Sequence, residues 1–155
     1  MIPGKGYEEL VDAYLSLSDE EQKQIEIKFV GGFENEKSHH SFIEKIKPHE
    51  KLHYLGKFID GQEKRNLYSE SHVFCLPTYY PFEGQPISIL EGYATGCAVI
   101  TSEHSGIPFV FKDLLNGFLV QKKSVPSLAE ALRKTILERS KLKEIDYYNR
   151  NEAIQ

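Results

Sequence analysis

The feature that most constrains the fold of this chain is a series of five short apolar runs separated by helical patterns. Most of the runs are continuous rather than alternating, and they span residues 25–30, 52–55, 73–76, 97–100 and 118–120. A strand that is apolar at every position is covered on both faces, which is typical of a parallel sheet between two layers of helices. The sequence therefore predicts an α/β fold with a Rossmann-like, open, mostly parallel sheet and helices on both faces.

Five helical patterns occupy the intervals between these runs. They span residues 7–15, 35–47, 61–69 and 84–94, and a stretch through Leu128, Leu132 and Ile136. The fourth pattern is apolar almost all round, which predicts a helix buried between layers. Two starts compete for the fifth helix: a capping box of Ser127 with Glu130, and Ser124 ahead of Pro126. The tail from Lys141 is polar and is predicted to be helical or frayed.

Length and charge exclude several classes of protein. The 155 residues fit one domain that can bury a core. A net charge of −4 without a basic patch does not fit a nucleic-acid-binding protein, so no nucleic acid partner is expected. No apolar stretch reaches the length of about 18 residues that a transmembrane helix needs. Cys75 and Cys97 each lie in an apolar run and are predicted to be reduced, buried thiols.

The turn that follows residues 73–76 is the richest candidate for a ligand site. Ligands of open α/β sheets bind outside the carboxyl ends of the strands. Pro86 suits the first turn of the following helix, because its missing N–H would be unsatisfied there anyway. The positive end of a helix suits phosphate. The amides that would converge there belong to Gly84, Gln85, Ile87 and Ser88. An ordinary loop-to-helix turn is an equally weighted alternative at this stage.

Two glutamates, Glu83 and Glu91, flank this segment. Eight helical steps would separate them by about 12 Å. The paired carboxylates of glycoside hydrolases lie roughly 5–9.5 Å apart, so that chemistry is disfavoured. The spacing suits two carboxylates that bind hydroxyl groups at the two ends of one extended ligand, although two glutamates at this spacing are common by chance.

Several motifs together resemble glycosyltransferase family four, the group 1 type. They are Lys5-Gly6, Pro77-Thr78, Glu83-Gly84-Gln85-Pro86-Ile87-Ser88-Ile89-Leu90-Glu91-Gly92, Gly96-Cys97-Ala98-Val99-Ile100, Ser105-Gly106-Ile107-Pro108 and Asn116-Gly117-Phe118-Leu119-Val120. The resemblance is strongest from Val73 to Val120 and continues more thinly to Ile136. It implies one half of a GT-B fold, in which two Rossmann-like domains face a cleft. Residues 1–155 would form the C-terminal nucleotide-sugar-binding domain, with the first strand truncated and the N-terminal acceptor domain absent from this chain.

The resemblance also implies roles at the predicted turn. Glu83 would be the catalytic residue, binding hydroxyls of the donor sugar and supporting the charge that develops at its anomeric carbon. The backbone cradle near the sugar and phosphate would consist of Gly84, Gln85 and Pro86. The amides of Ile87 and Ser88 would bind the diphosphate.

Further donor contacts are implied outside that turn. Glu91 would hold the ribose hydroxyls, and Lys5 would neutralise phosphate charge. The turn formed by Gly56, Lys57 and Phe58 would lie against the nucleobase. His104, near the Gly106 turn, is a further candidate for lining the site.

The implied activity is that of a retaining glycosyltransferase. It would transfer a hexose or N-acetylhexosamine from a nucleotide sugar, most simply a UDP-sugar, to a glycan or lipid-linked acceptor in bacterial surface polysaccharide biosynthesis. The resemblance implies a metal-free site, which the absence of an Asp-x-Asp sequence fits, and no cofactor is expected. The expected location is the cytoplasm, with peripheral membrane association of the full-length protein as an option.

Two departures from the family pattern keep alternatives open. Phe109 stands where an acidic residue commonly follows Gly-Ile-Pro, and the diphosphate-binding Arg of the family would lie before Lys5, outside this chain. Because the catalytic-base candidates and acceptor contacts of the N-terminal domain are also absent, we expect this chain alone not to transfer sugar. A non-catalytic nucleotide-sugar-binding module and a GT-B sugar-nucleotide epimerase are the alternatives.

Overall fold

The computed structural model describes residues 1–153 as strands and helices that largely alternate along the chain. The strands are β1 (Ile27–Phe29), β2 (Leu52–Tyr54), β3 (Val73–Leu76), β4 (Ala98–Ser102) and β5 (Gly117–Val120). The helices are α1 (Tyr7–Leu15), α2 (Asp19–Gln22), α3 (Glu36–Ile46), α4 (Gly61–Glu70), α5 (Ile87–Ala94), α6 (Val125–Leu137) and α7 (Arg139–Glu152), with a 3-10 turn at Ile107–Phe109. Every predicted strand is therefore confirmed, with bounds shifted by at most two residues.

The strand pairing is parallel throughout the described residues. β1 pairs with β2, and β4 pairs with β3 on one side and β5 on the other. The register places Cys75 opposite Ile100, and Ile100 opposite Phe118. Within residues 1–153 no ladder joins β1 to β3, so the predicted parallel sheet is present as a two-stranded and a three-stranded part.

Helices cover both faces of the three-stranded part. Ala98 and Ile100 of β4 belong to a large core cluster that also contains residues of α1, α3 and α6. Val99, between them, belongs to a second cluster with Ile89 and Tyr93 of α5. Because successive side chains of a strand point to opposite faces, this division confirms the predicted three-layer arrangement. The large cluster also includes Phe29 and Leu52, so it extends beneath the two-stranded part.

The helix after β3 differs from its prediction in two ways. It begins at Ile87 rather than at residue 84, and Pro86 is its N-cap with an extended ψ of 108°. Its outer face is also open, because Ile87 is 71% exposed and Leu90 is 40% exposed. The prediction of a helix buried all round was therefore wrong: Ile89 and Tyr93 face the core, and the apolar residues on the other side face solvent.

The N-terminal cap of α6, the fifth predicted helix, shows which of the two proposed N-termini is correct. The Ser124 hydroxyl accepts a hydrogen bond from the Ser127 amide at 3.2 Å, and Pro126 lies in the first turn. Ser124 is therefore the N-cap, and the capping box of Ser127 with Glu130 was wrong. A capping box does occur elsewhere, between Ser18 and Glu21 at the short helix α2, which the apolar pattern did not predict.

The polar tail forms α7, and a buried amide joins this helix to the sheet. Asn149 donates to the carbonyl oxygens of Cys97 at 2.7 Å and Asn116 at 3.0 Å, and it accepts a hydrogen bond from the Asn116 side chain at 2.8 Å. Both asparagines are almost fully buried. None of the helices within residues 1–153 has the length and apolar character needed to cross a bilayer.

Replacing Asn149 with leucine is expected to lower the free energy of unfolding by about 2–4 kcal/mol, because the Cys97 carbonyl and the Asn116 amide would be buried without partners. The midpoint of urea unfolding measures this loss. Asn151→Leu is the matched control, since Asn151 lies on the exposed side of the same helix. Equal midpoints for the two variants would contradict the assignment.

Candidate functional site

Residues 1–6 lie across the carboxyl ends of β1 and β3. The Met1 amino group donates to the carbonyl oxygen of Gly32, just after β1. The Tyr79 amide, just after β3, donates to the carbonyl oxygen of Gly4 at 2.7 Å. Gly6 has a φ of +81°, and a Cβ there would lie 2.5 Å from the carbonyl oxygen of Pro77. Only glycine allows this close approach, which is how the Lys5-Gly6 pair becomes part of the site.

Lys5 and Glu83 form the centre of the site. The Lys5 ammonium group lies 2.7 and 2.9 Å from the two carboxylate oxygens of Glu83, although 78 residues separate them in sequence. The Glu83 side chain is only 8% exposed, and the Lys5 side chain is 30% exposed. The Lys5 Nζ atom also lies 5.2 Å from the centre of the Tyr80 ring. A mostly buried carboxylate is thus matched by a cation that solvent still reaches.

Thr78 forms a hydrogen bond with Glu83, and no role was assigned to Thr78 from the sequence. Its fully buried hydroxyl donates to Glu83 Oε2 at 2.8 Å. Its backbone carbonyl accepts a hydrogen bond from the Ser102 hydroxyl at the end of β4. The signal in the sequence was a hydroxyl residue two positions after the end of an apolar strand and five positions before the acidic residue.

The loop after β4 holds the backbone of the Glu83 turn. The Ser105 hydroxyl donates to the carbonyl oxygen of Glu83. A Cβ at Gly106 would lie 3.2–3.3 Å from atoms of Gly84 and Gln85, so the two turns are in close contact. This contact brings the Ser105-Gly106 motif against the Glu83-Gly84 motif.

His104 lies in the same loop, as predicted. Its Nε2 atom is 2.7 Å from the carbonyl oxygen of Tyr80 and donates to it. Phe109, three residues after Gly106, is 90% exposed and makes no part of the core. His104 thus holds the backbone of the turn after β3 through a hydrogen bond, while the Phe109 side chain is exposed to solvent.

Four backbone amides at the start of α5 point to no partner within the described part of the chain. They belong to Gly84, Gln85, Ile87 and Ser88, and within residues 1–153 none donates to a protein oxygen. Gly84, Gln85 and Ile87 are exposed, and Ser88 is half-buried. Pro86, among them, is buried. The amides of the predicted cradle are therefore without protein partners among the described residues at the positive end of a helix, on residues that are exposed or half-buried.

Glu91 lies on the second turn of α5 and is paired with a lysine that the sequence reasoning missed. Lys64 of α4 donates to Glu91 Oε1 at 2.6 Å, and each side chain is 35% exposed. One turn further along α4, the Tyr68 hydroxyl donates to the carbonyl oxygen of Ser88 at 3.3 Å. Burial, assisted by the neighbouring Glu91, raises the pKa of Tyr68 well above its usual range. No sequence motif marks Lys64; only the packing of α4 on α5 does.

The predicted nucleobase turn lies after β2. The Gly31 amide donates to the carbonyl oxygen of Gly56 at 3.0 Å, and the Lys57 side chain lies against Gly32. Lys57 and Phe58 are exposed. Among the described residues, no hydrogen bond joins this turn to Glu83 or Glu91. The turn therefore lies beside the end of β1 and the start of the segment 1–6.

The two cysteines and Tyr79 do not supply a nucleophile at neutral pH. Burial raises the pKa of the Cys75 thiol to about 12, and it also raises the pKa of Cys97. Both thiols are free and stay protonated. The hydrogen bond from Tyr79 to Glu9, followed by burial, raises the pKa of Tyr79 to about 12. The groups that remain for ligand binding are the open amides, the two lysines and the two carboxylates.

The arrangement suits a ligand that carries both negative charge and hydroxyl groups. Exposed amides at a helix start and a solvent-accessible lysine bind anions. Carboxylates accept hydrogen bonds from hydroxyls, and Glu83 and Glu91 lie on either side of those amides along the chain. Phosphate and sugar hydroxyls are the groups that match both sets.

A family model described as "Glycosyl transferases group 1" matches residues 1–152. Among curated proteins, the chain is 36% identical over 67 residues to an Escherichia coli enzyme named UDP-Gal:alpha-D-GlcNAc-diphosphoundecaprenol alpha-1,3-galactosyltransferase. That match covers 43% of this chain and 17% of the relative. The chain spans about a fifth of the length of the curated relatives that it matches first.

Solved structures give the same fold. A C-terminal domain of a group 1 glycosyl transferase from Francisella tularensis has a TM-score of 0.83 and 21% identity, with 97% of this chain and 78% of that chain covered. An Anabaena protein solved in complex with UDP-glucose has a TM-score of 0.82 and 20% identity, with 97% of this chain and 41% of that chain covered. At these identities the likeness establishes the α/β architecture of this chain, which is that of GT-B proteins.

Proposed function

Because this chain belongs to the group 1 glycosyl transferases, we propose that it is the C-terminal, nucleotide-sugar-binding half of a retaining glycosyltransferase. The observation that carries the proposal is the Lys5–Glu83 pair beside the open amides of Gly84 to Ser88. In this proposal the amides and Lys5 hold the donor's diphosphate. Glu83 binds the transferred sugar, and Glu91 binds the ribose.

The chemistry follows from where charge develops. The bond between the anomeric carbon and the diphosphate oxygen breaks, and negative charge grows on the departing nucleoside diphosphate. Amides that are already oriented, together with a lysine, stabilise that charge without reorganisation. The carboxylate of Glu83 supports the positive charge on the sugar. We propose that no metal ion takes part, since this cation and these dipoles fill that role.

Retention of configuration fits the side chains around Glu83. A covalent intermediate would need a nucleophile. Both thiols are protonated, and the Glu83 carboxylate is already engaged, with Lys5 at both oxygens and Thr78 at Oε2. We therefore propose that the acceptor oxygen attacks from the same face that the diphosphate leaves. The acceptor's proton then passes to the departing phosphate oxygen.

The donor is proposed to be a UDP-linked hexose or N-acetylhexosamine. The Escherichia coli relative is named for a UDP-galactose donor and a diphosphoundecaprenol-linked acceptor, and the Anabaena neighbour was solved with UDP-glucose. By analogy, the acceptor is a glycan or lipid-linked sugar of a bacterial surface polysaccharide. A lipid-linked acceptor would bring the full-length protein to the cytoplasmic face of the inner membrane.

The gap between the two ladders supports the proposal that this domain is part of a longer protein. All four residues of β3 are only half-buried, whereas all five residues of β4 are buried. Residues 1–6 already connect the ends of β1 and β3. We propose that a strand preceding them pairs with both edges in the longer protein, and that an N-terminal acceptor domain faces this one across a cleft.

Nucleotide binding by the 155-residue chain tests the donor site directly. UDP at about 100 times its dissociation constant is expected to stabilise the fold by about 2.7 kcal/mol. That gain corresponds to a rise in melting temperature of about 5–10 °C for a domain of this size. Thermal unfolding with UDP, GDP and ADP measures it, with uridine as the control that lacks the diphosphate. The donor site is refuted if no nucleoside diphosphate raises the melting temperature above that in uridine.

Analysis of the reaction products distinguishes the proposed glycosyltransferase from the epimerase alternative. With the full-length protein, a UDP-sugar and acceptor, we expect a new glycosidic bond. Free epimer in place of that bond would favour the alternative. A module that binds nucleotide sugars without either product would favour the non-catalytic alternative, for which the exposed Phe109 is the motivating observation.

A further inference from the structure

Lys64 and Tyr68 form one face of α4 that lies against the start of α5. The two residues are one helical turn apart, so their side chains share a face. Lys64 holds Glu91 Oε1 at 2.6 Å, and Tyr68 holds the Ser88 carbonyl oxygen at 3.3 Å. The same helix face thus contacts the residue proposed to bind ribose and a residue proposed to bind diphosphate.

The Lys64–Glu91 pair is not needed to hold the helices together. Both side chains are 35% exposed, and exposed ion pairs contribute little to stability. The contact between α4 and α5 also has the Tyr68 hydrogen bond, and Tyr68 packs on Phe74 of β3 with ring centres 5.6 Å apart. An effect of Lys64 on ligand binding can therefore be measured without loss of the fold.

The pair favours one direction of the Glu91 carboxylate, because Lys64 contacts Oε1 at 2.6 Å. A glutamate side chain on a helix surface samples several rotamers, and immobilising it on ligand binding costs free energy. A carboxylate that already has a partner at one oxygen loses less of that entropy when the ligand binds. Accepting from two neighbouring hydroxyls requires a defined carboxylate orientation, because hydrogen bonds weaken steeply when they are bent.

We propose that Lys64 is a positioning residue for the nucleoside, which holds the Glu91 carboxylate in the orientation that a ribose 2′,3′-diol requires. The inference rests on the proposed donor site and extends it by a residue that touches Glu91 rather than the ligand. It predicts that Lys64 matters only to ligands that carry both hydroxyls.

Calorimetric titration of the 155-residue chain with UDP and with 2′,3′-dideoxyuridine diphosphate tests the inference. Lys64→Met is expected to weaken UDP binding roughly five- to tenfold and to change binding of the dideoxy compound less than about twofold. Lys64→Arg, which keeps the cation, is expected to retain most of the UDP affinity. In the double variant with Glu91→Gln, the two losses are expected not to add, as for residues that act through one contact.

The matched control is Lys45→Met. Lys45 pairs with Asp12 at the same distance of 2.6 Å, also between two helices, with side chains 38% and 48% exposed. This pair lies away from α5, so its loss is expected to leave both affinities unchanged. Equal losses of UDP and dideoxy affinity in Lys64→Met, or no loss, would overturn the positioning role while leaving the donor site intact. Failure of the unaltered chain to bind UDP would instead remove the donor site, and this inference with it.

Discussion

Replacing Glu83 with glutamine in the full-length enzyme is expected to lower kcat by about 100- to 1000-fold, the size seen when one oriented electrostatic group of an active site is lost. Glutamine has the same shape and can still accept hydrogen bonds from Lys5 and Thr78, so the turn should keep its structure. It lacks the negative charge that would support the anomeric centre. A steady-state transfer assay with a UDP-sugar donor and its acceptor measures the loss.

The dissociation constant for UDP should change much less than kcat in this variant, because in the proposed arrangement Glu83 contacts the sugar and not the nucleotide. Glu130→Gln is the control, since that carboxylate lies on α6 and is 61% exposed. If Glu83→Gln transfers sugar at the rate of Glu130→Gln, the catalytic role proposed for Glu83 is wrong.

Replacing Gly6 with alanine is expected to cost about 3–5 kcal/mol of stability, which would lower the melting temperature by roughly 10 °C. The added methyl group would lie 2.5 Å from the Pro77 carbonyl oxygen and 2.6 Å from the Pro77 ring. Backbone cannot move aside as the tip of a long side chain can, so residues 1–6 would have to leave the end of β3. Since Lys5 is in that segment, binding of UDP should weaken as well.

Gly61→Ala separates this clash from backbone strain. Gly61 also has a positive φ, of +55°, but nothing lies within 4 Å of the position that its Cβ would take. The stability lost in Gly61→Ala should therefore be limited to the cost of a left-handed conformation for alanine, about 1–2 kcal/mol. Similar losses in the two variants, measured by differential scanning calorimetry, would show that Gly6 is needed for its φ alone.

Local regularities were predicted well because they depend on neighbours in sequence. Continuous apolar runs indicated parallel strands, and the alternate burial of Ala98, Val99 and Ile100 in two clusters gives the reason. The helix after Asn35 begins where the asparagine caps it, with the Ser38 amide donating to Asn35 Oδ1 at 2.8 Å. Such signals lie within a few residues of the element that they specify.

The errors occurred where distant contacts compete with local preference. Residues 84–86 had a favourable helical pattern, yet Ser105 and Gly106 hold them as a loop. At α6 the sequence contained two valid capping signals, and the folded chain uses the one at Ser124. Because Ile87 and Leu90 are apolar, the sequence predicted that their side of α5 is buried, but that face is open to solvent.

The sequence by itself determined the class of this protein, because strand and helix periodicities and the spacing within the Glu83 segment are properties of short stretches of chain. Only the tertiary structure decided which lysine meets which carboxylate. Lys5 reaches Glu83 across 78 residues, and Lys64 reaches Glu91 across 27. These pairings depend on the close approach at Gly6 and on the packing of α4 against α5, and therefore on how the whole chain folds.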